Sequence, residues 1–252
     1  MKDLFGHDKI EEAIERIKIF EPPEGYYGAT SFGKDSIALM HLVKRADVKV
    51  DWHYNITGID PPELVYFGRK YYPEVERHRP EKTMWQLMVS NGLPTRQHRF
   101  CCKYLKEPGG TGRKVLTGIR WEESFKRSKR RMVEQCYRDE SKTFVHPLID
   151  WSEREIWDYI KMNKLFYPSL YNEGWKRIGC VVCPMLTPWQ RKRSLKRWPK
   201  FWDQMKRCAY KYFERRQDVL KKKYNFVEFQ DYWDWWWSNK SVDNPDQTVM
   251  FE

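Results

Sequence analysis

A chain of 252 residues has room for one large α/β domain, or for a domain with an appendage. Its formal net charge of +12 favours anionic partners: nucleotides, nucleic acid or both. No run of eighteen or more apolar residues occurs, and the charged N-terminus lacks an apolar core. A transmembrane helix, a secretory leader and a membrane partner are therefore not expected, and the expected location is cytoplasmic.

Residues 9–20 place Ile10, Ala13, Ile14 and Ile17 on one helical face, and Pro22-Pro23 stops the helix. Tyr26-Tyr27-Gly28 reads as the end of a strand, and Ile37 to Val43 as a buried helix. Between them runs Ser31-Phe32-Gly33-Lys34-Asp35-Ser36. A small-residue loop entering a helix N-terminus offers unpaired backbone N–H groups to an anion. Ser31 and Ser36 add hydroxyls, and Lys34 adds a point positive charge. The spacing fits neither the Walker loop nor the three-glycine dinucleotide fingerprint.

Val48, Val50, Trp52 and Tyr54 alternate with Lys49, Asp51 and His53, which predicts a strand with one buried face and a solvated His53. Thr57-Gly58-Ile59-Asp60-Pro61-Pro62-Glu63 turns into a helix reaching Tyr72, with Pro62 in the first turn. A short strand is expected at 75–79, and a helix at 83–91 that Gly92 and Pro94 stop. Lys114 to Gly118 and Thr143 to His146 read as further strands. Ser152 and Glu155 form a capping box, with Trp151 and Ile156 as the hydrophobic staple, for a helix ending near Met162. Alternating strands and helices predict an α/β fold: a parallel twisted, Rossmann-like sheet with helices on both faces. Ligands of such sheets bind beyond the carboxyl ends of the strands, where the Ser31–Ser36 loop falls.

After Thr187-Pro188 the composition turns basic and aromatic, with Pro199 between two helices and Trp233, Trp235, Trp236 and Trp237 near the end. We read residues 1–186 as the α/β domain and 187–252 as a helical, basic, aromatic-rich extension, with 239–252 as a loose tail. Bases concentrate at Arg127 to Arg131 and Arg191 to Arg197, where a solvated surface is the plain reading. The aromatic stripe reads first as packing and second as a base-stacking surface.

Six cysteines occur: Cys101, Cys102, Cys136, Cys180, Cys183 and Cys208. In a reducing compartment Cys101-Cys102, expected in a loop, and Cys180-x-x-Cys183 offer four thiolates for a metal centre. Zinc ribbons favour two Cys-x₂₋₄-Cys knuckles, so the adjacent pair favours a 4Fe-4S cluster over zinc. Cys136 and Cys208 stand alone and read as packing residues.

Taken together, Ser31–Ser36, Thr57–Glu63, Arg99-Phe100-Cys101-Cys102-Lys103, Gly118-Ile119-Arg120-Trp121-Glu122-Glu123-Ser124, His146–Trp151 and Gly179–Pro184 form an ordered series. Over about residues 25–200 the chain resembles the phosphoadenosine phosphosulfate (PAPS) reductase family. Its loop is similar to the pyrophosphate loop of the adenine-nucleotide α-hydrolase superfamily. The resemblance implies cluster ligands Cys101, Cys102, Cys180 and Cys183. It implies nucleotide binding by Ser31, Phe32, Gly33, Lys34, Asp35, Ser36, Gly58, Gly118 and Arg120. Lys34, Asp35 and Arg120 would be the catalytic groups, with Mg²⁺ on or near Asp35.

Two departures matter. Reductases of this family attack with a cysteine in a C-terminal Glu-Cys-Gly tail, and the sequence here ends Asp246-Gln247-Thr248-Val249-Met250-Phe251-Glu252. The Lys-Asp-Ser ending of the loop is more similar to the ATP pyrophosphatase branches, which adenylate substrates or transfer sulfur, nucleic-acid thio-modification included. The leading expectation is thus an iron–sulfur enzyme that binds ATP and acts at the α-phosphate, with a sulfur-donor or reductant protein as partner. A reductase of adenylyl sulfate or PAPS is the second. A nucleic-acid-binding accessory module with a structural cluster is the third.

Overall fold

The computed structural model describes residue 1 and residues 6–238. The stretch 239–252, read above as a loose tail, lies outside the described residues. In chain order the elements are α1 (Lys9–Ile19), β1 (Tyr26–Ala29), α2 (Lys34–Ala46), β2 (Val50–Asn55), α3 (Pro62–Tyr71), β3 (Glu76–His78), α4 (Met84–Asn91) and α5 (Phe100–Leu105). Then come β4 (Lys114–Leu116), α6 (Phe125–Ser128), β5 (Val133–Cys136), β6 (Asp139–Val145), α7 (Glu153–Met162), α8 (Pro188–Arg197), α9 (Pro199–Tyr224) and α10 (Phe229–Ser238).

The chain divides into two compact units. The first holds Met1–Ile56, Pro61–His78 and Pro108–Ile178; the second holds Thr57–Asp60, Arg79–Glu107 and the described residues from Gly179 onward. This division cuts across the boundary placed at residue 186, because segments 57–60 and 79–107 group with the C-terminal helices.

The first unit is built on a six-stranded sheet in the order β3-β2-β1-β4-β6-β5. All neighbours run parallel except β5, which is antiparallel to β6 and was not foreseen in the sequence. The α/β class with a mostly parallel sheet is as expected. Tyr26, Leu116 and Val145 on one sheet face join Ile10, Ala13, Ile14 and Ile17 of α1, Leu39, Leu42 and Val43 of α2, and Ile156, Tyr159 and Ile160 of α7 in one buried core. The capping box of α7 forms as predicted: Ser152 accepts from the Glu155 amide, and the Glu155 carboxylate accepts from the Ser152 amide. Trp151 and Ile156 beside it are both buried. The chain leaves β1 toward β2 and β3, then returns to add β4 on the other side of β1. The carboxyl ends of β1 and β4 therefore form the crevice where open α/β sheets bind ligands.

His53 departs from expectation. It is buried, not solvated, because its imidazole stacks on Tyr27 from β1 at 3.9 Å between centroids. On the face that strict alternation assigned to solvent, His53 is thus covered while Asp51 stays exposed.

The second unit packs α4 against α9 and α10. Leu93 N–H donates to the Tyr232 hydroxyl (2.7 Å), and Trp236 Nε1 donates to the Pro94 carbonyl (2.6 Å). Arg191, read as part of a basic surface, is 1% exposed. Its guanidinium donates to the carbonyls of Trp236, Trp237 and Pro184 and lies 4.1 Å from the Trp236 ring centroid. Burial pulls its pKa down to about 10, which leaves it charged at neutral pH. Trp236 and Tyr232 are buried, so they pack as expected and offer no platform to a base.

Candidate functional site

The loop after β1 is shaped by Phe32. Its φ of +54° is the left-handed region, which costs a non-glycine residue about 1–2 kcal/mol. Complete burial of the ring, 1% exposed against Tyr54, Leu64 and Phe67, returns about 2 kcal/mol. Gly68 of α3 makes room: a Cβ there would lie 2.4 Å from Phe32 Cε2. The side chain of Phe32 is therefore an anchor, and only its backbone borders the loop.

With Phe32 fixed, the polar groups turn toward the start of α2. Ser31 and Ser36 hydroxyls are 3.2 Å apart, and Ser31 N–H donates to Ser36 Oγ. Gly33 is the N-cap of α2 and supplies no capping side chain. The Lys34 amide donates to the Tyr171 hydroxyl at 3.0 Å. Burial pushes the Tyr171 phenol well above its ordinary range, so it remains protonated.

Lys34 is 5% exposed. Its Nζ lies 3.3 Å from Asp35 Oδ2 and 3.6 Å from Glu153 Oε1. Arg120, which follows β4, reaches the same carboxylate: Nε donates to Asp35 Oδ1 at 2.6 Å. Its Nη1 donates to Glu122 and to the Trp151 carbonyl. Burial pulls Arg120 down, but Asp35 and Glu122 outweigh it and hold the guanidinium above its ordinary value. Gly118 allows this approach, since a Cβ on it would lie 3.0 Å from the Asp35 carbonyl. Next to Gly118, Thr117 Oγ1 is 2.6 Å from His146 Nδ1. Burial lowers the His146 pKa to about 4 against the pull of Glu134, so this imidazole is neutral at pH 7.

The ends of β1 and β4 thus bring Ser31, Gly33, Lys34, Asp35, Ser36, Gly118 and Arg120 into one cluster within the first unit. Two buried cations share one carboxylate there. Sequence reading missed Tyr171 and Glu153, which reach the loop from more than a hundred residues away and carry no local signal.

Gly58 belongs to the second unit, in a turn with φ +72° where Thr57 Oγ1 accepts from Ile59 N–H. Cys101, Cys102, Cys180 and Cys183 share that unit. Cys101 and Cys102, expected in a loop, lie instead on α5, a six-residue helix too short to show periodicity. Cys180 and Cys183 are in irregular chain, fixed where Val181 N–H donates to the Ile59 carbonyl at 2.8 Å. Cys180 Sγ is 3.9 Å from Asp60 Oδ1, and Lys106 Nζ is 3.9 Å from the same oxygen. The hydrogen bond from Cys101 pulls Cys102 down to about 6, with help from Arg99 and Lys106. Cys101 is pushed up by that bond, by burial and by the charges of Cys102, Cys180 and Cys183. Burial raises Cys180 to about 12, opposed by Lys106. The four thiols are close enough to feel one another. Among the described residues, however, no three of them approach within 4.8 Å. Cys136 is half-buried on β5, and Cys208 is buried in α9.

The signature of the phosphoadenosine phosphosulfate reductase domain matches residues 26–186. Adenosine 5'-phosphosulfate reductase of Oceanobacillus iheyensis is 30% identical over 203 residues, covering 72% of this chain and 81% of the relative. Two uncharacterized proteins of Methanocaldococcus jannaschii are 27% and 29% identical over 74% and 72% of this chain. The matches cover 42% and 48% of those relatives, so the chain spans less than half of their length. Phosphoadenylyl-sulfate reductase from Candida auris shares the fold, with a TM-score of 0.52 at 20% identity over 71% of this chain and 91% of that one.

Proposed function

The chain belongs to the phosphoadenosine phosphosulfate reductase family, and on that premise we propose that it binds ATP or an adenylyl nucleotide at Ser31–Ser36 and acts at the α-phosphate in sulfur metabolism or sulfur transfer. The observation that carries this reading is the convergence of buried Lys34 and Arg120 on Asp35 at the crevice between β1 and β4. In the bound state the two cations exchange carboxylate for pyrophosphate oxygens and neutralise the charge that develops as the bond to the leaving group breaks. Asp35 and Glu153 would hold Mg²⁺ through hard carboxylate oxygens. Ser31, Ser36 and the backbone around Gly33 position the phosphates.

Cys101, Cys102, Cys180 and Cys183 would hold a 4Fe-4S cluster. Thiolate is the donor such clusters take, and the four thiols share one electrostatic environment. The directly adjacent Cys101-Cys102 pair fits the two spaced knuckles of a zinc ribbon poorly, which supports the cluster over zinc. When bound, the cluster would supply an iron centre able to hold or orient a sulfur species.

The Lys34-Asp35-Ser36 ending of the loop supports the ATP reading. Cys208 is buried in α9 with its thiol pushed up by burial. That suits packing and not nucleophilic attack. The test uses anaerobically purified protein, assayed for pyrophosphate from ATP and for sulfite from adenylyl sulfate or PAPS with thioredoxin. Pyrophosphate without sulfite is expected; sulfite release would replace this reading with the reductase.

One observation favours a nucleic acid as acceptor. Residues 187–224 carry fourteen Lys/Arg against three Asp/Glu, a net +11 of the +12 of the whole chain. Lys192, Lys196, Arg197, Lys206, Arg207 and Lys221 are among the exposed bases of α8 and α9. Each phosphate neutralised adds about −0.9 to the slope of log affinity against log salt for duplex DNA, or about −0.7 for a single strand. Binding of a labelled oligonucleotide should therefore weaken by at least about tenfold between 50 and 200 mM salt. Replacing Lys221, Lys222 and Lys223 with Ala should flatten the slope. Affinity that does not change with salt would remove nucleic acid from the proposal.

A further inference from the structure

The sheet edge in the first unit gathers a set of donors that the nucleotide loop and the cysteines do not use. His53 on β2 pairs in register with Glu76 on β3, and His78 lies two residues along β3 on the same face. His53 Nδ1 is 2.8 Å from His78 Nε2 and 3.4 Å from Glu76 Oε2. One donor atom from each residue falls within 4.8 Å of the others. The stack on Tyr27 fixes the His53 ring. Its other nitrogen, Nε2, is buried without a hydrogen-bond partner and faces Asp51 Oδ2 at 3.8 Å. Asp51 is held in turn by Arg113 at 2.8 Å. A ligating imidazole whose second nitrogen faces an anchored carboxylate is the usual outer-shell arrangement of a metal site. Glu76 brings a carboxylate to the two imidazoles, while Asp51 behind His53 is paired with Arg113. β3 is the edge strand, with Glu76 and His78 open to solvent, which gives an ion access and leaves a coordination position for water.

We propose that His53, Glu76 and His78 form a binding site for a divalent transition ion of the zinc class. Two imidazoles and one carboxylate suit zinc and its neighbours, and suit calcium or magnesium poorly. The ion ties edge strand β3 to β2. The proposal is independent of the nucleotide reading, and either can fail alone.

The experiment titrates the anaerobically purified full chain with Zn²⁺ for stoichiometry and with Co²⁺ for spectra. One equivalent is expected beyond any metal held by the cysteines, with cobalt d–d bands that lack thiolate charge transfer and that persist in Cys180→Ser. His78→Ala and Glu76→Gln should each lose that equivalent, with affinity at least 100-fold weaker. Asp51→Asn should keep the stoichiometry and weaken affinity about 10- to 100-fold. His78 and Glu76 are solvent-accessible, and the metal-free melting curve of each variant checks the fold; if one variant fails to fold, the other decides. Unchanged stoichiometry and affinity in the folded variants would overturn the proposal. So would binding by the unaltered chain at this site no tighter than millimolar.

Discussion

Lys34→Ala is expected to lower pyrophosphate release from ATP by about 10²–10³-fold, the usual loss when one preorganised charge is removed from an oxyanion-stabilising site. The expectation rests on where the charge is stored. Lys34 is 5% exposed and is held between Asp35 and Glu153 over the edge of the Tyr171 ring. A buried ammonium is retained only where something compensates its desolvation. Here two carboxylates compensate it, and a polyphosphate would take their place. Charge needed most in the transition state should appear as a fall in kcat, whereas uniform binding should appear as a rise in KM. Arg120→Lys separates the two cations: it keeps the charge but loses the fork that reaches Asp35, Glu122 and the Trp151 carbonyl together. It should cost less than Lys34→Ala in turnover and more in stability, because Glu122 and Asp35 lose a shared partner. Removing Lys34 leaves Asp35 still paired with Arg120, so the variant should fold. Unchanged pyrophosphate release in a folded Lys34→Ala protein would remove the loop from the chemistry.

Much of this cluster is legible in the sequence because it is local. Ser31 to Ser36 is a strand–loop–helix junction, and the Ser152–Glu155 box announces α7 within four residues. What escapes is what depends on tertiary neighbours. Tyr171 meets the Lys34 amide from 137 residues away. His53 occupies the polar phase of an alternating strand, yet Tyr27 buries it, because a parallel sheet can be covered on faces that alternation assigns to solvent. Arg191 scores as a surface base, but three carbonyls and the Trp236 ring accept it inside the second unit. β5 carries Glu134, Gln135 and Cys136 and has no apolar period to reveal it. The grouping of 57–60 and 79–107 with the C-terminal helices has no sequence signature, since Pro61-Pro62 and Gly92 mark turns and not domain boundaries.

Cys180→Ser is expected to bring iron from about four per chain to below about one in anaerobically purified protein. A thiol must lose its proton to ligate metal. Burial works against that at Cys180, raising it to about 12, while Lys106 favours the thiolate and is itself held charged, by Cys180 first and then by Asp60. Cys180 is half-buried with Asp60 and Lys106 beside it, so a thiolate there meets a cation, which suits an anionic thiolate-bound cluster. Serine keeps the volume and removes the soft ligand, so loss of iron with a preserved fold isolates ligation from packing. Cys136→Ser is the matched control: it lies on β5 in the first unit, whereas the four thiols belong to the second, and its iron content should not change. Lys106→Met should weaken cluster retention without removing a ligand, because the thiolates then lose their cation. Full iron in Cys180→Ser would overturn the ligand assignment, and zinc in the unaltered chain in place of iron would make the cysteines a structural staple. If iron falls but pyrophosphate release persists, the nucleotide site works without the cluster.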